Sequence, residues 1–161
     1  MTRDQFISHV ESSQKTFRRF IVALCCGDSA LADDIAQESL IKAYLSCDDL
    51  DNHDKFNSWI YRIGYNTFLN YKRSARHAVS YDEARNIPSD ELSDKTFKYQ
   101  DLYSALNRLS DKERTSILLY YMDDYTIKEI SDIVGASSEA VKQQLSRGRK
   151  NLRTLLQQLS K

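Results

Sequence analysis

Apolar residues recur along this chain at three- and four-residue intervals rather than at every second position, so the pattern predicts helices and no strands. Between positions 4 and 26, Phe6, Val10, Phe17, Phe20, Ile21 and Leu24 supply an apolar stripe, and Gly27 stops the segment. A second helix begins near Asp28 or Ser29. It turns Leu31, Ile35, Leu40, Ala43 and Tyr44 inward and leaves Asp33, Asp34, Gln37, Glu38 and Lys42 outside. Leu50 to Lys55 is polar enough for a loop, and Phe56 to Arg76 then reads as a longer helix. After a polar stretch the helical pattern resumes at Tyr99 with Leu102, Leu106 and Leu109. Ser110 caps a helix containing Ile117, Leu118 and Leu119, and Asp123 and Asp124 are expected to be solvated in the loop that follows.

The sharpest pattern runs from Thr126 to Leu156. Thr126 and Glu129 have the spacing of a capping box, and Ile127, Ile130, Ile133 and Val134 form one apolar face behind it. Gly135 takes a positive φ at little cost, and Ser137 offers the next N-cap, with Glu139 in the first turn. The spacing predicts a helix-turn-helix. In its second helix Val141, Leu145, Leu152 and Leu156 share one face with Gly148 beside them, while Lys142, Gln143, Ser146, Lys150 and Arg153 lie opposite, flanked by Arg147 and Arg149. From Lys142 to Lys161 there are six Lys or Arg and no acid. A solvated amphipathic helix has a similar pattern, but the capped first helix, the Gly turn and the one-signed charge together favour a helix that enters the major groove. There Gln and Arg bond base edges and Lys or Arg neutralise phosphates.

Composition is that of a globular chain: of 161 residues, 41% are hydrophobic and 29% charged. The net charge of zero hides segregated blocks. Asp28 to Asp54 holds eight acids against one base, Lys42, whereas Lys55 to Tyr81 holds five bases and no acid. Separate faces for separate partners follow. No apolar run reaches the length of a membrane span and the N-terminus lacks a signal peptide's apolar core, so a cytoplasmic location is expected. Cys25, Cys26 and Cys47 lack zinc-site spacing and read as buried thiols.

Two surfaces in the first half stand out. Asp34, Gln37 and Glu38, at i, i+3 and i+4, form one patch, which taken alone is more often a solvated helix face than a docking surface. In Phe56 to Arg76, Phe56, Trp59, Tyr61, Tyr65, Phe68 and Tyr71 are interleaved with Arg62, Lys72, Arg73 and Arg76. Aromatics at this spacing are usually core, yet stacking rings beside cations also hold unpaired nucleic acid. Catalytic constellations are missing: His9, His53 and His77 are scattered, and there is no phosphate-cradling Gly loop or activated nucleophile. No catalysis, metal or cofactor is inferred.

DDIAQESLIKAY, FNSWIYRIGYNTFLNYKR and LNRLSDKERTSILLYY, in this order before the helix-turn-helix, resemble the group IV, extracytoplasmic-function sigma factors of bacterial RNA polymerase. The resemblance covers about Phe6 to Leu156. With nothing before the first helix and no separate middle domain, the chain is similar to the minimal two-domain class. It implies that Asp34, Gln37 and Glu38 dock on the clamp helices of the polymerase largest subunit. It implies that Leu50, Asp51, Asn52, His53 and Lys55 line the loop that reads a flipped minus-10 base, with Tyr61, Arg62, Asn66, Lys72 and Arg73 near the unpaired strand and Trp59 packing in support. Lys142, Gln143, Ser146 and Arg147 match the minus-35 contact positions, joined by Arg149 and Lys150 on the same basic face. At Lys142 the family often has Arg, and at Ser146 a bulky residue, so this chain departs in the minus-35 sequence it prefers.

The expected fold is all-α: two small helical domains joined by a flexible linker, the C-terminal one a helix-turn-helix. Residues 1–77 form a region 2-like domain, 78–98 the linker and 99–161 a region 4-like domain. The linker holds the only proline among acids and polar residues, and fully stretched it spans on the order of 65 Å. The expected function is a promoter-specificity subunit that binds core polymerase and directs initiation at minus-35/minus-10 promoters. An anti-sigma factor is a further implied partner. The alternative is a free-standing helix-turn-helix regulator that binds duplex DNA without core polymerase.

Overall fold

The computed structural model describes residues 1–77 and 94–159, with side chains described over 1–75 and 99–159. Seven α-helices and two short 3-10 turns account for the secondary structure of these residues, and they contain no strand. Helix α1 spans Arg3–Leu24, α2 Ser29–Leu45 and α3 Phe56–His77, with 3-10 turns at Cys47–Asp49 and His53–Lys55. Then come α4 (Asp94–Arg108), α5 (Asp111–Tyr121), α6 (Ile127–Val134) and α7 (Ser138–Leu159). Residues 78–93 of the expected linker lie outside the described residues. Its last five positions belong to α4, which begins at Asp94 rather than at Tyr99.

Capping places most of these boundaries. Thr2 and Gln5 exchange side-chain and backbone hydrogen bonds at the start of α1, as do Ser110 and Glu113 on α5. Asp28 accepts the Leu31 amide to open α2. Helix α1 ends two residues earlier than expected, because Cys26 as well as Gly27 adopts positive φ, and the Gly27 amide folds back to the Val22 carbonyl. Burial then separates from simple periodicity on α2. Ala32, Ile35, Ala36, Ser39 and Ala43 are buried, Leu31 and Leu40 are half-buried, and Tyr44 faces out beneath the Arg3 guanidinium, 4.2 Å from its ring centroid. Tyr44 was expected inward. It sits one position round the helix from Ala43, and Ala43 takes the core site because α1 approaches closely there with Phe6 at its edge.

Helices α1, α2 and α3 pack around Phe17, Phe20, Ile21, Leu24, Ile35, Ile60 and Phe68, all essentially inaccessible to solvent. Helices α4 to α7 pack around Leu106, Leu119, Ile130, Ile133, Val141 and Leu145. The two cores are continuous: α5 lies against α1 and α6 against α3, so the expected domains share a face. Of the cysteines only Cys47 is buried, and Cys25 and Cys26 are half-exposed in the turn after α1. Burial nonetheless pushes the Cys25 thiol up to about 12, helped by the Asp28 charge, so it holds almost no thiolate at neutral pH.

Gly64 is the tightest point of the first bundle. A Cβ there would lie 2.7 Å from Phe17 Cε2, 2.9 Å from Phe17 Cζ and 3.1 Å from Ile21 Cδ1. Alanine would gain up to about 1 kcal/mol of helix propensity, but overpacking a filled core costs about 1–3 kcal/mol. Gly64→Ala is therefore expected to lower the urea midpoint, and a raised midpoint would show that Phe17 has room to move.

Candidate nucleic-acid and docking surfaces

Helix α7 is built as the sequence requires. Thr126 and Glu129 form the capping box of α6, Gly135 takes φ 69° at its end, and Ser137 accepts the Ala140 amide to start α7. The Ser131 hydroxyl donates to the Ala136 carbonyl and pins the turn. Val141, Leu145 and Gly148 are buried against α5, where Gly148 lets Ile117 approach. All six predicted duplex contacts, Lys142, Gln143, Ser146, Arg147, Arg149 and Lys150, are exposed. Two of them are already engaged: Lys142 lies 3.4 Å from Glu139 Oε1, and Arg149 donates to the Tyr121 hydroxyl at 3.2 Å.

On α2, Asp34 and Gln37 are exposed and Glu38 is half-buried, held by Lys42 Nζ at 3.2 Å. The patch is free on the side away from α1 and α3, the two long helices that pack on α2. In the loop before α3 the groups divide. Leu50 is buried and its carbonyl accepts the Met1 ammonium at 3.1 Å, so it anchors the loop. Asn52 Oδ1 accepts the Asp54 amide at 3.0 Å, while Asp51, Asn52 and Lys55 remain exposed. His53 is half-buried with its ring 5.8 Å from that of His9, so two histidines that are far apart in sequence meet here. Trp59 is half-buried beside Phe56.

Helix α3 divides its circumference three ways. Phe56, Ile60, Gly64 and Thr67 turn into the first bundle. Arg62, Asn66 and Arg73, at i, i+4 and i+11, are exposed on one face. Tyr61, Tyr65 and Lys72, at i, i+4 and i+11, face the second half of the chain at Tyr125 and Asp111. So the structure brings Arg62, Asn66 and Arg73 together as a solvated surface, and it places Tyr61 and Lys72 elsewhere. The Tyr61 ring stacks on Phe20 at 4.8 Å and meets Tyr125 edge-on at 5.3 Å, and Lys72 Nζ lies 4.0 Å from Asp111 Oδ1.

This seam holds the residues that sequence patterning missed. Asp123, expected in solvent, has a side chain only 6% exposed and accepts Arg19 Nη2 at 3.2 Å. Its other oxygen, Oδ2, is also buried, and the Tyr61 hydroxyl hydrogen-bonds to the carboxylate. Burial pushes the Asp123 carboxyl up, against the pull of Arg19, and burial with the Asp123 charge pushes the Tyr61 phenol up. Arg114 is 2% exposed and donates to the carbonyls of Leu106, Asn107 and Leu109 around the end of α4 and, at 3.0 Å, to Leu24 at the end of α1. One guanidinium thus caps two helix C-termini, where a positive charge suits both dipoles. In sequence it looks like any surface cation of a charged helix start. Replacing Arg114 by Ala strands several carbonyls and is expected to cost about 3 kcal/mol or more. An unchanged urea midpoint would show that water replaces it freely.

The family profile "Sigma-70 region 2" matches residues 9–78, and "Sigma-70, region 4" matches residues 99–152. The chain is 32% identical over 143 residues to the ECF RNA polymerase sigma factor SigW of Bacillus subtilis (strain 168), covering 80% of this chain and 76% of that one. It is 34% identical over 130 residues to the RNA polymerase sigma factor SigV of the same organism, with the same coverage. Its fold is similar to that of the sigma factor RpoE in complex with the anti-sigma factor NepR from Bartonella quintana. The TM-score is 0.83 at 24% identity, over 97% of this chain and 98% of that one.

Proposed function

Given that this chain belongs to the extracytoplasmic-function sigma factors of the sigma-70 family, we propose that it is the promoter-specificity subunit that joins core RNA polymerase and directs initiation at a two-element promoter. The observation that carries the reading is the division of labour on the surface. An acidic stripe on α2 and a basic face on α7 are both exposed, on opposite halves of the chain. Asp34, Gln37 and Glu38 would meet a basic helical partner in the largest subunit. Asp51, Asn52, His53 and Lys55, with Arg62, Asn66 and Arg73, would hold the unpaired minus-10 strand. Lys142, Gln143, Ser146, Arg147, Arg149 and Lys150 would enter the minus-35 major groove.

Melting in this reading is differential binding: the loop and α3 hold an unpaired strand better than a paired one, which repays the few kcal/mol of base flipping. The chain performs no catalysis, and nucleotidyl transfer belongs to the polymerase core. It works in the cytoplasm, where that core resides, and no described helix is long and apolar enough to cross a membrane. An anti-sigma factor is a further partner, as NepR is for RpoE. The free-standing regulator is not favoured, because such a protein has no need for the acidic α2 stripe in front of an aromatic and basic helix.

Multi-round transcription on fragmented genomic DNA with core polymerase, with and without the chain, tests the assignment. Discrete new start sites sharing two upstream elements are expected, and a duplex shift without core and without transcripts would favour the regulator. Asp34→Arg combined with Glu38→Arg should abolish core binding, while α7-dependent duplex binding persists. Arg147→Ala should weaken promoter binding at unchanged core affinity. Loss of that one phosphate or base contact should flatten the log–log salt slope by about 0.9 if it is a phosphate contact, and leave it unchanged if it reads a base.

A further inference from the structure

The last turn of α5 brings two exposed tyrosines, Tyr120 and Tyr121, to the edge of the basic face of α7, and neither is among the duplex contacts proposed above. Helix α5 crosses α7 at Gly148, where a Cβ would lie 2.8 Å from Ile117 Cγ1. From that crossing the ends of α5 emerge on opposite flanks of α7. Glu113, one turn before Ile117, accepts a hydrogen bond from Asn151 at 3.3 Å, and the hydroxyl of Tyr121, one turn after it, accepts one from Arg149 Nη1 at 3.2 Å. Asn151 and Arg149 lie about 160° apart round α7 at 3.6 residues per turn, so α5 runs across this helix rather than along it. We propose that Tyr121 is a positioning residue that aims the Arg149 guanidinium at a backbone phosphate on one wall of the duplex groove. The proposal rests on α7 being the groove-entering helix, and it assigns Arg149 to the DNA backbone rather than to a base.

Two observations carry it. The first is dimensional. An α-helix with its side chains is about 10–12 Å across and the major groove is about 12 Å wide, so residues on the crest of α7 meet base edges while those on its flanks meet the phosphate walls. Gln143 and Lys150 occupy the crest opposite the buried Val141, Leu145 and Gly148, with Ser146 and Arg147 beside them. Arg149 lies about 110° round from that crest, on the flank where α5 ends. The second observation is the tether. Tyr121 stands on a helix anchored by buried Ile117, Leu118 and Leu119, and the Tyr120 ring braces its own edge-on at 4.9 Å. A side chain held in place before DNA arrives loses less rotamer freedom on binding. A neutral phenol also orients the guanidinium without cancelling its charge, whereas Lys142 is met by the Glu139 carboxylate. A preorganised cation on the flank of the helix suits a phosphate, and reaching a base edge would require Arg149 to leave Tyr121.

The test uses the full chain as wild type, Tyr121→Phe, Arg149→Ala and the double variant. Fluorescence anisotropy reads binding to a mixed-sequence duplex over a range of salt, and selection from a randomised duplex pool reads base preference. Backbone contacts are independent of sequence, so the mixed duplex reports them directly. Tyr121→Phe keeps the ring, so helicity and Tm should hold while duplex affinity falls about three- to ten-fold. Arg149→Ala should lose about ten-fold or more and flatten the log–log salt slope by about 0.9. In the double variant the tyrosine change should add less than about two-fold, because its hydroxyl acts through the guanidinium. All four forms should select the same sequence from the pool. Full affinity in Tyr121→Phe, independent losses in the double variant, or a wild type that binds no duplex would each overturn the inference. A changed selection with Arg149→Ala would overturn it too, by showing that Arg149 reads a base. A chain that shows the expected coupling but supports no transcription with core polymerase would instead reject the sigma reading and leave the phosphate contact standing.

Discussion

Helix α3 has to satisfy three environments at once, and the rest of the molecule is arranged around that constraint. One side must be small enough for α1 to approach, which is why Gly64 sits under Phe17. A second side carries Tyr61 and Tyr65, too apolar to be left in water, and the second half of the chain lies against it. The third side holds Arg62, Asn66 and Arg73 in solvent. A helix with only two faces would serve a simple bundle. A third face lets the same helix be core, seam and charged outer surface at once.

The seam differs in kind from the two cores it joins. The cores are closed by aliphatic and aromatic packing with few polar groups, and their hydrogen bonds are local caps. The seam combines a ring pair, one buried guanidinium on four carbonyls, and a buried carboxylate met by Arg19 and Tyr61. Apolar burial is non-directional and hard to reverse piecemeal.

Electrostatics divides the remaining surface. The chain is neutral overall, but its charge is gathered in local blocks, acid on α2 and base on α7. A uniform charge would attract or repel every partner alike. Segregation gives one small molecule separate acidic and basic patches, whose attraction for opposite charge weakens with salt.

The sequence by itself determined the helices, their caps and the exposed basic face of α7, because each depends on neighbours within four residues: Thr126 with Glu129, Gly135 with Ser137, Val141 with Leu145. It also determined the acidic patch on α2, which is one turn of one helix. Only the tertiary structure decided the fates of Tyr61, Lys72, Asp123 and Arg114, and that Leu50 is buried with its carbonyl on the Met1 ammonium. An aromatic at helical spacing looks the same whether a neighbouring helix or a nucleotide will cover it. A surface Asp looks the same whether water or Arg19 will meet it. Their partners across the seam lie from 39 to 104 residues away, and helical periodicity reports which way a side chain points around its own axis, but not what stands opposite.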